Sequence, residues 1–133
     1  MDPLLYDYLE HCIDVLISAG SYSIEDRAIR YLSESLAIMR VTLKFYGGSY
    51  MSAQMRVGLV RNRPLLIRYS FHYMAADDST IFRYDNARHH QGLEHFPHHK
   101  HIGASERVID CPQPTIAQIR DEIVEHLIGE SCQ

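Results

Sequence analysis

The sequence predicts an α+β fold: a four-stranded antiparallel sheet, connected as a meander, with N-terminal helices and a C-terminal helix packed on one face. Three observations lead there. Over residues 36–86 apolar and polar side chains alternate in four successive runs, the period of a strand with one buried face. The links between those runs are short and built from turn-forming residues. On both flanks the apolar residues recur at helical spacing instead. A chain of 133 residues has room for one compact domain, burying roughly two thirds of its unfolded surface. Residues 1–133 are therefore expected to form a single domain, with a helical segment over 1–33, the sheet over 36–86, a histidine-rich loop over 87–112 and a helix over 113–129.

The first helix rests on Leu4, Leu5, Tyr8, Leu9, Cys12, Ile13 and Leu16, which share a face that stops before Gly20. Ser23-Ile24-Glu25-Asp26 resembles a capping box and predicts a second short helix through Tyr31-Leu32. The first strand sets Ala37, Met39, Val41, Leu43 and Phe45 against Ile38, Arg40, Thr42 and Lys44. Gly47-Gly48-Ser49 turns the chain, and Met51, Ala53, Met55, Val57 and Leu59 resume the apolar face. After Asn62-Arg63-Pro64 a third strand places Leu65, Ile67, Tyr69, Phe71 and Tyr73 inward, with Leu66, Arg68, Ser70 and His72 opposite. Ala75 to Ser79 makes the next turn, and Thr80 to Asp85 puts Phe82 and Tyr84 inward and Ile81, Arg83 and Asp85 outward. Thr115 and Gln118 have capping-box spacing and open the last helix, whose face is Ile116, Ile119, Ile123 and Leu127.

Composition narrows the functional classes. The chain is 46% hydrophobic and 23% charged, an ordinary globular balance that indicates neither a disordered nor a fibrous class. No apolar run approaches the roughly 20 residues that cross a bilayer, and MDPLLYDYLEHC starts acidic where a secretory signal starts basic, so a cytoplasmic protein is expected. Cys12, Cys111 and Cys132 are odd in number and widely spaced, which fits reduced thiols better than a disulfide framework. The formal net charge of -4 conceals an uneven distribution. From Ser35 to Ala76 there is no Asp or Glu, while Arg40, Lys44, Arg56, Arg61, Arg63 and Arg68 all fall there. With the strand alternation above, the face away from the helices carries Arg40, Lys44, Arg56, Arg68, His72, Arg83 and Asp85 towards solvent. Such a face attracts a polyanion even on an acidic protein, because the local field follows local charge.

HHQGLEHFPHHKH, residues 89–101, holds six of the nine histidines. Imidazole is the side chain whose ordinary pKa lies close to neutrality, so a cluster points to proton transfer, metal ligation or a switched charge. Metal is the main rival to proton transfer, since imidazole suits zinc, copper, nickel and iron. His89-His90 and His98-His99-Lys100-His101 contain ligand-like spacings, and Asp85 is the nearest carboxylate. No cysteine joins them, however, and a lysine inside the cluster opposes a bound dication. No metal and no cofactor is therefore assigned.

IRYSFHY, a short acidic turn, IFRYDNARHH and FPHHKHIG resemble, in order and spacing, the most characteristic stretch of the TumE-type toxin family of prokaryotic toxin-antitoxin systems. The resemblance is close from Leu65 to Ile102 and looser outside it. One position departs from the family pattern: Arg88 stands where a proline usually separates the alanine from the histidine pair. The resemblance implies a small growth-inhibiting toxin, neutralised by a cognate antitoxin that often carries a helix-turn-helix, and suggests RNA cleavage as the activity.

The residue types agree with RNA cleavage. Metal-free cleavage needs a base for the 2′-hydroxyl proton, an acid for the leaving oxygen and cations for the phosphorane. His98, His99, Lys100 and His101 are the candidates for proton transfer and phosphate contact, with His72 beside them. Asp85 either orients an imidazole by accepting its N–H or opens a turn through its own side chain. Arg68, Arg83, Arg40, Lys44, Arg56, His89 and His90 are the candidates for binding substrate. RNA and an antitoxin are the expected partners, with no membrane. A non-catalytic module that docks on nucleic acid or protein through the same cations is the alternative class.

Overall fold

The computed structural model describes residues 2–131. Its sheet has seven strands, not four: β1 (Tyr22–Ser33), β2 (Leu36–Phe45), β3 (Tyr50–Val60), β4 (Arg63–Met74), β5 (Thr80–Asp85), β6 (His99–Ile102) and β7 (Arg107–Asp110). They lie in chain order, each antiparallel to the next, so the expected meander extends by one strand at its start and two at its end. Helix α1 (Pro3–Ile17) and helix α2 (Ile116–Ser131) are the N- and C-terminal helices. No helix among the described residues is long and apolar enough to cross a membrane. Cys12 and Cys111 are free thiols; Cys132 lies outside the described residues.

The second N-terminal helix expected at residues 23–32 is instead β1. Ser23 does bond Glu25, at 2.7 Å, but inside a strand. The segment also carries a period of two. Arg27, Ile29 and Tyr31 face the helices, where Arg27 pairs with Glu10 of α1. Asp26, Ala28 and Arg30 face the other way, opposite Thr42, Arg40 and Ile38. Pairing along the whole of β2 outweighs a local capping signal, because an isolated short helix is marginal in water.

Both terminal helices are present, and the second begins at the capping box that the sequence predicts. Asp2 accepts the Leu4 N–H at 2.9 Å with Pro3 at the first turn, and Leu5, Leu9, Cys12, Ile13 and Leu16 are buried. At α2, Thr115 N–H donates to Gln118 Oε1 at 2.9 Å while Gln118 N–H donates to Thr115 Oγ1 at 3.1 Å, a reciprocal capping box. The core between helices and sheet contains Met39, Leu43, Met51, Met55, Phe71 and Tyr73 with Ile119 and Ile123 from α2.

One register differs from the expectation. A bulge in β4 pairs Arg56 with Arg68 and then Val57 with Leu66, leaving Ile67 over. Leu66 is thus the buried residue, and Leu65 and Ile67, expected inward, are 51% and 41% exposed. The extra residue reverses the alternation below it. Gly58 accommodates this: a Cβ there would lie 3.0 Å from Ile67 Cδ1. Asn86 holds the bulge, accepting the Tyr69 N–H and donating to the Ile67 carbonyl, both at 3.0 Å.

Candidate active site on the open face of the sheet

The face away from the helices carries the expected cations. Arg40 lies opposite Gln54, Lys44 opposite Tyr50, and Arg56 opposite both Ile38 and Arg68, so all four side chains share it. They are not gathered at one point. Arg40 is engaged by Asp26 at 2.7 Å, and exposed Lys44 sits towards the Gly47-Gly48 turn. Arg56 and Arg68 instead border a cleft of about 520 Å³ with Arg83, Asp85, His89, His90, His99 and His101. His72 stands beside it, in register with Arg83, its Nε2 2.7 Å from Thr80 Oγ1.

The expected histidine loop over 87–112 is partly strand, and this sorts the cluster. In β6, His99 pairs with Asp85 and His101 with Arg83 on the open face. Lys100, between them, points to the helix side, where it bonds Glu122 of α2 at 2.7 Å and lies over the rings of Tyr84 and Phe82. Tyr84 Oη donates to the same Glu122. His98 is also apart: its ring stacks on Tyr69 and its Nδ1 lies 2.9 Å from Tyr69 Oη. FPHHKH therefore divides by alternation, with His99 and His101 in the cleft and His98 and Lys100 outside it.

At the cleft floor Asp85 is only 7% exposed. Its Oδ1 lies 2.8 Å from His99 Nε2 and accepts the Ala87 N–H at 3.0 Å, while Oδ2 accepts from Arg83 Nε at 3.2 Å and lies 3.4 Å from His101 Nε2. Asp85 thus contacts an imidazole and also accepts a backbone N–H two residues on, at the turn. His99 is 2% exposed, and its Nδ1 lies 2.9 Å from the Pro97 carbonyl. Both His99 nitrogens are thus engaged, one by Asp85 and one by the Pro97 carbonyl. His101 differs, because Arg83 Nη2 lies 3.0 Å from its Nε2. A guanidinium only donates, so Nε2 is the acceptor. Burial first, and then Arg83, hold the His101 pKa below the ordinary histidine value, and the same two causes lower His72. Arg83 is itself held by Asp85 and by Glu106 at 3.3 Å.

His90 completes the group from the loop, its ring 4.7 Å from that of His99 and 5.8 Å from that of His101. Two contacts fix this loop. His95 bonds Asp110 of β7 through its N–H at 2.8 Å and its Nδ1 at 2.5 Å, which raises the imidazole and lowers the carboxylate. Arg88, in place of the family's proline, lies 5.8 Å over the Phe96 ring, a cation–π contact. One ring nitrogen from each of His90, His99 and His101 lies within 4.8 Å of the others, close enough to share a metal ion, as are donor atoms of Glu94, His95 and Asp110. In the first group, however, the His101 nitrogen that faces Asp85 already faces Arg83.

Sequence reasoning missed Asn86 as the brace of the bulge and Glu106 as the second carboxylate on Arg83. It also kept His98 and Lys100 with the two buried histidines. What separates them is the register of β6, which sets His99 and His101 on the open face and Lys100 on the other.

A meander with one helix-covered face and a cleft of imidazoles, guanidiniums and one buried carboxylate on the other defines a small α+β protein with a candidate site on the open face of its sheet. The family model for Toxin TumE matches residues 13–128, and the chain belongs to that toxin family. Membership implies an antitoxin partner. No curated protein and no solved structure matches the chain.

Proposed function

We propose that this toxin inhibits growth by cutting RNA in the cleft of Arg56, Arg68, Arg83, His90 and His101, by metal-free acid–base chemistry. The observation that carries this reading is the buried Asp85, which bonds His99 through one oxygen and Arg83 through the other. Such a carboxylate fixes the two groups beside the reacting imidazoles. His99 is a positioning residue, since both its nitrogens are engaged. His101 and His90 are the proton-transfer pair, with rings close enough to serve one phosphoryl group. When the scissile phosphate draws the Arg83 guanidinium, His101 Nε2 is released to take the 2′-hydroxyl proton. His90, protonated, then supplies the leaving oxygen, and Arg56 and Arg68 hold the phosphorane charge. Lys100 and His98 do not take part, and His72 tunes Arg83 from beside it.

The antitoxin, a helix-turn-helix protein on this reading, neutralises the cations by laying an acidic or aromatic segment over the cleft. The experiment is expression of the chain alone, with its antitoxin, and as His101→Ala. Growth should stop, recover, and be unaffected, in that order. Arrest by a folded His101→Ala chain at wild-type level would remove the catalytic assignment. The three converging imidazoles favour one second reading, a metal-dependent nuclease with His90, His99 and His101 as ligands. Loss of cleavage on chelation, restored by a transition metal, would select it.

A further inference from the structure

A second cavity, of about 620 Å³, opens beside the cleft, and Arg68, Asn86 and His89 line both. We propose that it is a nucleobase subsite, holding the base next to the scissile phosphate; this rests on the ribonuclease reading above. The volume falls within the roughly 300–1,000 Å³ of small-ligand pockets.

Its lining separates a base from a second phosphate. Leu65, Ile67 and Pro97 give it an apolar wall, and the β4 bulge is what turns Ile67 outward. A phosphate site would consist of donors, whereas a base needs an apolar or aromatic platform with a few polar groups at its edge. Those groups are the exposed amide of Gln113, which both donates and accepts, and His98. Tyr69 engages His98 Nδ1 and stacks on its ring, which leaves Nε2 without a partner among the described residues. Burial holds the His98 pKa low, so the neutral ring is favoured and Nε2 can meet a base edge. No carboxylate lines the cavity, and Arg68 and Arg88 do, so a polyanionic strand is not repelled. Continuity gives the register: a strand with its phosphate on Arg68 passes its adjoining base across His89 into the second cavity.

The test uses an RNA oligonucleotide whose cleavage site has been mapped, remade with an abasic ribose on one side or the other of the scissile phosphate. One abasic strand should be cleaved about 10-fold less efficiently, through KM. The double substitution Leu65→Asp, Ile67→Asp should lose about the same factor on the intact strand and nothing further on that abasic strand. Gln113→Ala carries the same comparison if the double variant fails to fold. Losses that simply add, or abasic strands cleaved as well as the intact one, overturn the subsite and leave the ribonuclease reading standing. A protein that cleaves no RNA overturns both.

Discussion

Asp85, His99 and His101 are buried polar side chains in a molecule that has few of them, and such groups persist only when fully bonded. Replacing Asp85 by Asn keeps the shape but removes the charge that Arg83 and His99 share. Cleavage by Asp85→Asn should fall by about 10²-fold or more, in the range of positioned acid–base catalysis, with substrate affinity changed far less. Single-turnover kinetics alongside a binding isotherm checks this. The lowered histidines also fix the acid limb of stability. His101, His72 and His98 are held below the ordinary value, chiefly by burial, so the unfolded chain binds protons that the folded chain does not. Their contribution is complete above about pH 6.5 and declines as pH falls through that value towards the lowered folded ones. Because His95 is raised and works in the opposite sense, the comparison is made in a His95→Asn chain, where urea midpoints should be lower at about pH 5.5 than at about pH 7.5, and adding His101→Asn should shrink the difference. An equal or higher midpoint in acid would contradict the assignment.

At the scale of elements, β6 decides which histidines meet. Lys100 sits 16% exposed against Glu122, so its removal leaves a half-buried carboxylate with the Tyr84 hydroxyl but no cation. Lys100→Met should cost about 1–3 kcal/mol of stability, a discounted buried-pair value, and Glu122→Gln in the same chain should recover most of it. The readout is denaturant unfolding of the two single variants and the double. A Lys100→Met chain that is stable but has lost all cleavage would return Lys100 to the cleft. Asn86→Ala orphans two backbone groups at the β4 bulge and should cost about 1–3 kcal/mol. These elements also show what the sequence could disclose. β2, β3, β5, the apolar face of α1 and the start of α2 were legible because the patterns are regular and the α2 cap is local. β1 was not, because Ser23-x-x-Asp26 imitates a cap and the strand is mostly exposed, which blurs its alternation, although its partner β2 follows after a two-residue turn. β6 and β7 are four residues each, too short for periodicity to separate from a loop. The Ile67 bulge was invisible because Asn86, which holds it, lies just past β5 and far along the chain from Ile67. Of the candidate site, Asp85, His99 and His101 could be named in advance, but their separation from His98 and Lys100 required the register.

Across the whole molecule, one face is apolar and helix-covered and the other is open and basic, with Lys44 at the Gly47-Gly48 turn and a second group of cations at the cleft. Arg56 and Arg68 border the cleft, whereas Arg40 is paired with Asp26. On single-stranded RNA each neutralised phosphate contributes about 0.7 to the salt slope. Replacing Arg56 and Arg68 by Ala should flatten log K against log salt by roughly 1 to 1.5, and replacing Arg40 should leave it nearly unchanged. A binding module would show these losses and nothing steeper. The proposed catalyst must also depend on His90 and His101. The most direct measurement is therefore incubation of purified protein with a single-stranded RNA and the matching deoxy strand in excess EDTA, with the product ends identified. The account predicts cleavage of the RNA alone, 2′,3′-cyclic phosphate ends, and a loss of about 10²-fold or more in His101→Ala. Cleavage of the deoxy strand at a comparable rate, or activity abolished by EDTA and restored by a transition metal, would contradict it.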